Sequence, residues 1–140
     1  MNTSGGYSPK DLHFSEKAQN KLISGISKMA RAVKSTLGPM GNTVLIESPS
    51  HTHGITVTKD GVTVAKSIQL LDPVENLAVQ MLREAASKTA ANAGDGTTTA
   101  IVLTEAIVTK GMELIGEQDN KTQVLRDMVS LTNDVVDNLK

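Results

Sequence analysis

Gly94-Asp95-Gly96-Thr97-Thr98-Thr99 joins two segments of helical character, and its reading decides how the rest of the chain is understood. Before it, Val74, Leu77, Ala78, Met81, Leu82, Ala85 and Ala86 recur at three- and four-residue steps, which predicts an amphipathic helix running to about Asn92. After it, Ala100-Ile101-Val102-Leu103 and Ala106-Ile107-Val108 make the segment from Thr97 to Ile115 apolar nearly all round. That pattern predicts the buried helix of the fold. The link supplies one carboxylate, two glycines and three hydroxyls at a helix N-terminus, where unpaired N–H groups and the positive dipole end suit phosphate. Glycines let the backbone approach an anion, and Asp95 has the chemistry to hold the divalent cation that accompanies a nucleotide. The same residues also serve as a plain helix cap, through Asp95 or Thr97. The hexapeptide alone leaves both readings open.

Upstream, Asp72-Pro73 reads as an N-cap followed by proline at the first helical position. Thr43-Val44-Leu45-Ile46-Glu47 and Ile55-Thr56-Val57-Thr58 are rich in β-branched residues and predict a hairpin. Its connection carries His51 and His53, which share a side of an extended segment. With no neighbouring carboxylate and the remaining histidine at His13, they read as a solvated tip rather than a metal site. Lys59-Asp60-Gly61 is a turn signal, and Val62 to Ile68 reads equally as a short helix or an extended stretch. Near the start, Ala18, Leu22, Ile26, Met29, Val33 and Leu37 predict a long helix capped by Ser15 and stopped by Gly38-Pro39. Asp11 to Phe14 alternates as a short strand, and residues 1–10 read as a flexible leader. Val124, Met128, Leu131, Val135 and Leu139 mark a last helix.

Composition bounds the function classes. The 140 residues are 39% hydrophobic and 21% charged with a net charge of -1, which gives no global pull toward nucleic acid or membrane. Tyr7 and Phe14 are the whole aromatic complement, so no base-stacking platform is expected. Without cysteine there is no disulfide, thiol nucleophile or thiolate metal site. No apolar run reaches membrane-spanning length, and the start lacks a signal-peptide apolar region, so a cytoplasmic location is expected.

Three motifs stand in fixed order: Thr36-Leu37-Gly38-Pro39-Met40-Gly41, Thr58-Lys59-Asp60-Gly61-Val62 and Ala93-Gly94-Asp95-Gly96-Thr97-Thr98-Thr99-Ala100. From about Lys10 to Lys140 the chain closely resembles the group I chaperonins, the bacterial GroEL type. The resemblance implies a mainly α, multihelical fold with a small β-hairpin. Residues 11–140 would form the N-terminal segment of the equatorial domain, which binds nucleotide and makes ring contacts. It further implies ATP-dependent protein folding by a homo-oligomeric ring, with ATP, Mg2+ and K+ as cofactors. Unfolded substrates and a GroES-like co-chaperonin would be engaged through regions outside this chain, and the hairpin would reach the Leu12–Phe14 strand of an adjacent subunit.

Carried over by position, Thr36, Leu37, Gly38 and Pro39 would line the nucleotide, with Thr36 helping to hold K+. Lys59 would sit by the phosphates, and Asp60 would act at the terminal phosphate and attacking water as the catalytic carboxylate. Asp95 would bind Mg2+, with Gly96, Thr97, Thr98 and Thr99 cradling the phosphates. This agrees with the chemistry of the residue types, because phosphoryl transfer needs positioning and charge neutralisation above all. No Walker A pattern is present. Met40 departs from the family's lysine and Asn42-Thr43 from its Arg-Asn, changing a surface charge more than the nucleotide loops. The chain stops near the crossing into the family's intermediate domain. A second catalytic carboxylate and the base and ribose contacts would lie elsewhere, so ATP hydrolysis by the 140 residues alone is expected to be negligible. A truncated, non-catalytic assembly or decoy protein that retains the ring-forming surface is the alternative reading.

Overall fold

The computed structural model describes residues 12–47 and 54–140. In order the elements are α1 (Ser15–Lys34), β1 (Val44–Glu47), β2 (Ile55–Thr58), α2 (Gly61–Ser67), α3 (Pro73–Ala93), α4 (Thr97–Leu114) and α5 (Lys121–Leu139). The chain divides into two compact units, the first ending at Glu105 and the second running from Ala106 to Lys140. The expected leader and the two hairpin histidines lie outside the described residues.

The core of the first unit forms where α1 and α3 pack. Met29, Ala30 and Val33 from α1 meet Val79, Leu82 and Ala86 from α3, Val64 and Ala65 from α2, and Ile101 from α4. These residues come from four helices, and the core is filled by aliphatic side chains and one methionine. Each fully buried aliphatic side chain contributes about 1.5–3 kcal/mol. Gly25 lets the two long helices approach closely, since a Cβ there would overlap the main-chain carbonyl of Glu75. The hairpin pairs Val44 with Thr58 and Glu47 with Ile55 in antiparallel register. Its inward residues Val44 and Ile46 rest on the core cluster.

Ion pairs fasten the start of α3 to α1. Asp72 caps α3 by accepting from Val74 N at 2.9 Å and Glu75 N at 3.2 Å, and it also receives Lys21 Nζ. Glu75 accepts from Ser24 Oγ at 2.8 Å and from Lys28 Nζ. The Lys21 hydrogen bond leads in holding Asp72 below its ordinary 3.8, and the Lys28 hydrogen bond leads in holding Glu75 below its ordinary 4.5. Carboxylates with depressed folded values stabilise above their unfolded range and lose that contribution as pH falls through the folded values. Thermal melts should therefore hold steady from neutral pH to about 5 and fall progressively below 4.5 and 3.8. In a Lys21→Met, Lys28→Met variant the acid decline should be shallower.

Four expectations are corrected. Leu12 to Phe14 is not a strand: the chain there is irregular up to the start of α1, and Asp11 lies outside the described residues. Helix α1 starts at Ser15, so the cap position is Phe14, which offers no side-chain cap. The helix also ends at Lys34, before Leu37, because the chain tightens into successive turns there. Fourth, α4 is not the buried helix: only Thr97 and Ile101 are buried, while Leu103, Ile107 and Leu114 are 55%, 50% and 78% exposed. An all-round apolar helix requires cover on every side, and α4 receives it only around its first turn. The undecided stretch after Gly61 resolves as helix α2. In the second unit, Asn120 Oδ1 caps α5 by accepting from Gln123 N at 3.1 Å, and the helix buries none of its residues.

Candidate functional site

The first motif is a closed loop at the end of α1. Ser35 N donates to Arg31 O, and Thr36 N and Leu37 N donate to Val33 O and Lys34 O at 3.1 Å each, winding the chain past the helix. Gly38 turns it back with φ +82°, a left-handed conformation that favours glycine. Gly41 N then reaches Gly38 O at 3.0 Å and Asn42 N returns to Ser35 O at 2.6 Å. The loop is tight enough that a Cβ at Gly41 would overlap the carbonyl of Thr36. Thr36 Oγ1 donates to Val33 O at 2.8 Å, which leaves its lone pairs as acceptors toward solvent. Leu37, Gly38, Pro39 and Met40 are exposed.

The second motif follows β2. Asp60 accepts from Val62 N at 3.2 Å and Thr63 N at 3.0 Å, making it the N-cap of α2. Thr63 Oγ1 also donates to it at 2.6 Å. That hydroxyl is the main reason the carboxyl sits below its ordinary 3.8; partial burial opposes it, while the Thr63 and Val62 N–H groups and the Lys66 charge add to it. Asp60 is thus an anion at neutral pH and a weak base, suited to orienting a water more than to keeping its proton. Lys59 is exposed and makes no hydrogen bond or ion pair among the described residues.

The third motif links α3 to α4. Gly94 closes α3 in the left-handed region at φ +76°, with its N–H on Ala90 O at 2.8 Å. Gly96 repeats the positive φ at +90°. Asp95 does not cap α4: its Oδ1 accepts from the adjacent Gly96 N at 2.6 Å, and its Oδ2 has no partner among the described residues. The hydroxyls of Thr97, Thr98 and Thr99 likewise make no hydrogen bond among the described residues, although Thr97 is only 5% exposed. The first-turn N–H groups of α4 carry no side-chain cap.

Gly61 is where the three motifs meet. A Cβ there would overlap Thr98 Oγ1 and stand 3.1 Å from Thr36 Oγ1. The end of α1, the start of α2 and the start of α4 therefore converge on one point. Behind that point, Lys34 Nζ pairs with Glu105 Oε2 at 2.8 Å and ties α1 to α4.

Residues 29–140 match the family model of the TCP-1/cpn60 chaperonin family. The chain belongs to that family. Among solved structures, this chaperonin chain is similar to chaperonin gp146 from bacteriophage EL 2 (Pseudomonas aeruginosa), crystallised in presence of ATP-BeFx. Crystal form II aligns at 39% identity with a TM-score of 0.66, and crystal form I at 38% with the same score. Each alignment covers 74% of this chain and 18% of that one, so the chaperonin chain spans under a fifth of the length of those structures. Among the described residues, five helices and one two-stranded sheet agree with the expected equatorial-type fold.

Of the residues expected to form the site, Thr36 and Thr98 are brought together beside the Asp60-Gly61 turn. No hydrogen bond or ion pair among the described residues links Lys59 or Asp95 to the other motifs. Two features escaped the sequence reading. Asp60 as a cap was signalled by a hydroxyl three residues later at Thr63, and the close approach at Gly61 carried no sequence signal beyond the glycine itself.

Proposed function

We propose that this chain supplies the phosphate- and cation-binding half of an ATP-dependent chaperonin equatorial domain, with residues 11–140 forming its N-terminal segment. The convergence of Thr36, Gly61 and Thr98 carries the reading, because three loops distant in sequence present oxygens and uncapped N–H groups to one place. The relative crystallised in presence of ATP-BeFx supports it.

In this reading the N–H groups and hydroxyls of Thr97, Thr98 and Thr99 hold phosphate oxygens, and Lys59 neutralises charge beside them. Gly96 allows the approach of the phosphates, while Leu37, Gly38 and Pro39 line the nucleotide. The residues present fit the two cations. Among the described residues no cluster of three or more His, Cys, Asp or Glu could hold a metal, so Asp95 would be a single carboxylate ligand. That suits Mg2+, which takes one or two carboxylates and completes its shell with phosphate and water. Thr36 Oγ1, its proton committed to Val33 O, offers lone pairs of the kind K+ accepts. The cations supply charge neutralisation at the phosphates when bound. Asp60 accepts a hydrogen bond from the attacking water and aligns it.

The full activity, a ring of like subunits folding unfolded proteins with a GroES-like co-chaperonin in the cytoplasm, extends the family assignment. No helix of the described residues is long and apolar enough to cross a membrane.

Asp60→Asn tests the role of Asp60 better than alanine, because α2 is only seven residues long and depends on the cap, which Asn preserves. In a chimera carrying residues 29–140 within the matching segment of gp146, ATP turnover should fall about 100-fold or more, with ATP affinity changing only a few-fold. Equal losses in both would make Asp60 a ground-state ligand.

A further inference from the structure

We infer that Gly61 is a positioning residue: its missing side chain leaves the space in which the Thr98 hydroxyl sits beside that of Thr36. The inference rests on the nucleotide reading above and deepens it by naming what sets the geometry of the phosphate-facing oxygens.

The backbone does not need a glycine at this position. Gly61 is the first residue of α2, and it is absent from the positive-φ glycines, which are Gly38, Gly94 and Gly96. Alanine would favour the helix by about 1 kcal/mol. What excludes alanine is space: Gly61 is buried, and its Cβ would overlap Thr98 Oγ1 while lying 3.5 Å from Thr98 Cβ, an ordinary contact. The hard overlap is with the Thr98 hydroxyl, and Thr36 Oγ1, at 3.1 Å, need give by only a few tenths of an ångström. Thr36 Oγ1 is fixed by its bond to Val33 O, whereas no hydrogen bond among the described residues holds Thr98 Oγ1. Thr98 is β-branched, and its staggered wells are few. A methyl at position 61 therefore rotates Thr98 about χ1 and turns its hydroxyl away from Thr36, with little need to move the backbone. Gly61 thus selects the rotamer that makes one oxygen-lined seat from two motifs.

The test uses the 140-residue chain with labelled threonines. Three-bond couplings should report one Thr98 χ1 rotamer in the wild type and a different one in Gly61→Ala. Titration with Mg-ATP, followed by amide shifts at Thr97 to Thr99, should show Gly61→Ala and Thr98→Ala each weakening binding about tenfold, the scale of one charge-assisted hydrogen bond. The double variant should be no weaker than Thr98→Ala alone, since both changes remove the same hydroxyl from the same place. An unchanged Thr98 rotamer in Gly61→Ala, or losses that add in the double variant, overturns the inference. If Gly61→Ala fails to fold, Thr98→Ala added to it removes the overlapping atom and restores the melt. Binding that then stays as weak as in Thr98→Ala supports the positioning role, and binding that returns to wild type overturns it in favour of simple packing. If the wild-type chain shows no Mg-ATP shifts while Gly61→Ala still turns Thr98, the nucleotide reading fails and the positioning of Thr98 stands.

Discussion

Asp95→Asn is expected to weaken Mg2+-dependent ATP binding by about 100-fold or more in the gp146 chimera while leaving the thermal melt of the 140-residue chain unmoved. The stability half follows from what Asp95 does locally. It accepts one hydrogen bond, from Gly96 N, which an Asn side-chain oxygen accepts equally well, and it caps no helix. The binding half follows from charge. On the proposed reading Asp95 is the one carboxylate that the described residues offer the cation, and even residues one shell further from a metal cost about 10–100-fold when removed. Titration calorimetry with and without Mg2+ separates the effects. An affinity for Mg-ATP that Asn leaves intact would sink the metal-ligand role and return Asp95 to a purely local part in the turn.

Met29→Ala should destabilise the chain by about 2–5 kcal/mol, the range for truncating a large buried aliphatic side chain. Met29 is 0% exposed, in the core cluster that α1 shares with α3. A domain of this size has about 5–15 kcal/mol to lose, so a loss of about 5 kcal/mol would lower the urea midpoint by a third or more. The effect should sit near the upper end of the range because the surrounding helices are pinned by ion pairs at Lys21 and Lys28 and cannot collapse freely into the cavity. A loss below about 1 kcal/mol would mean that the helices slide to fill the space.

Much of this architecture was legible in the residues, for identifiable reasons. The Asp72-Pro73 start of α3 is written in local chemistry, a carboxylate cap and a pre-set φ, and it formed as expected. The α1 and α3 stripes were legible because each buries one face and leaves the other wet. The hairpin strands were legible from β-branched runs. Helix α2 was not, because seven residues complete too few turns for a period to emerge. The burial of α4 was misjudged because periodicity reports what a helix needs covered and says nothing of what arrives to cover it. For the site, the residue types of Thr36, Asp60, Asp95 and Thr98 were readable one motif at a time. Their meeting at Gly61 depends on tertiary packing, which no local pattern encodes.

The close contact between Gly25 and Glu75 has a mechanical consequence. It places a pivot near the beginning of α3 and just past the middle of α1. From that pivot α3 extends to Asp95 over about 20 residues, or about 30 Å at 1.5 Å per residue, while α1 reaches Thr36 over about half that length. Thr36 is bolted to its arm through Val33, whose side chain is wholly buried and whose carbonyl it contacts twice. In the proposed site the two long helices are thus arms of unequal length, α3 leading to Asp95 and α1 to Thr36. A rotation of about 5° between them would swing the Asp95 end by about 2–3 Å, enough to make or break the metal–oxygen bond proposed for it. A small movement at the glycine would be magnified at the far end, so in the proposed site the reach between the two loops would follow how α1 crosses α3.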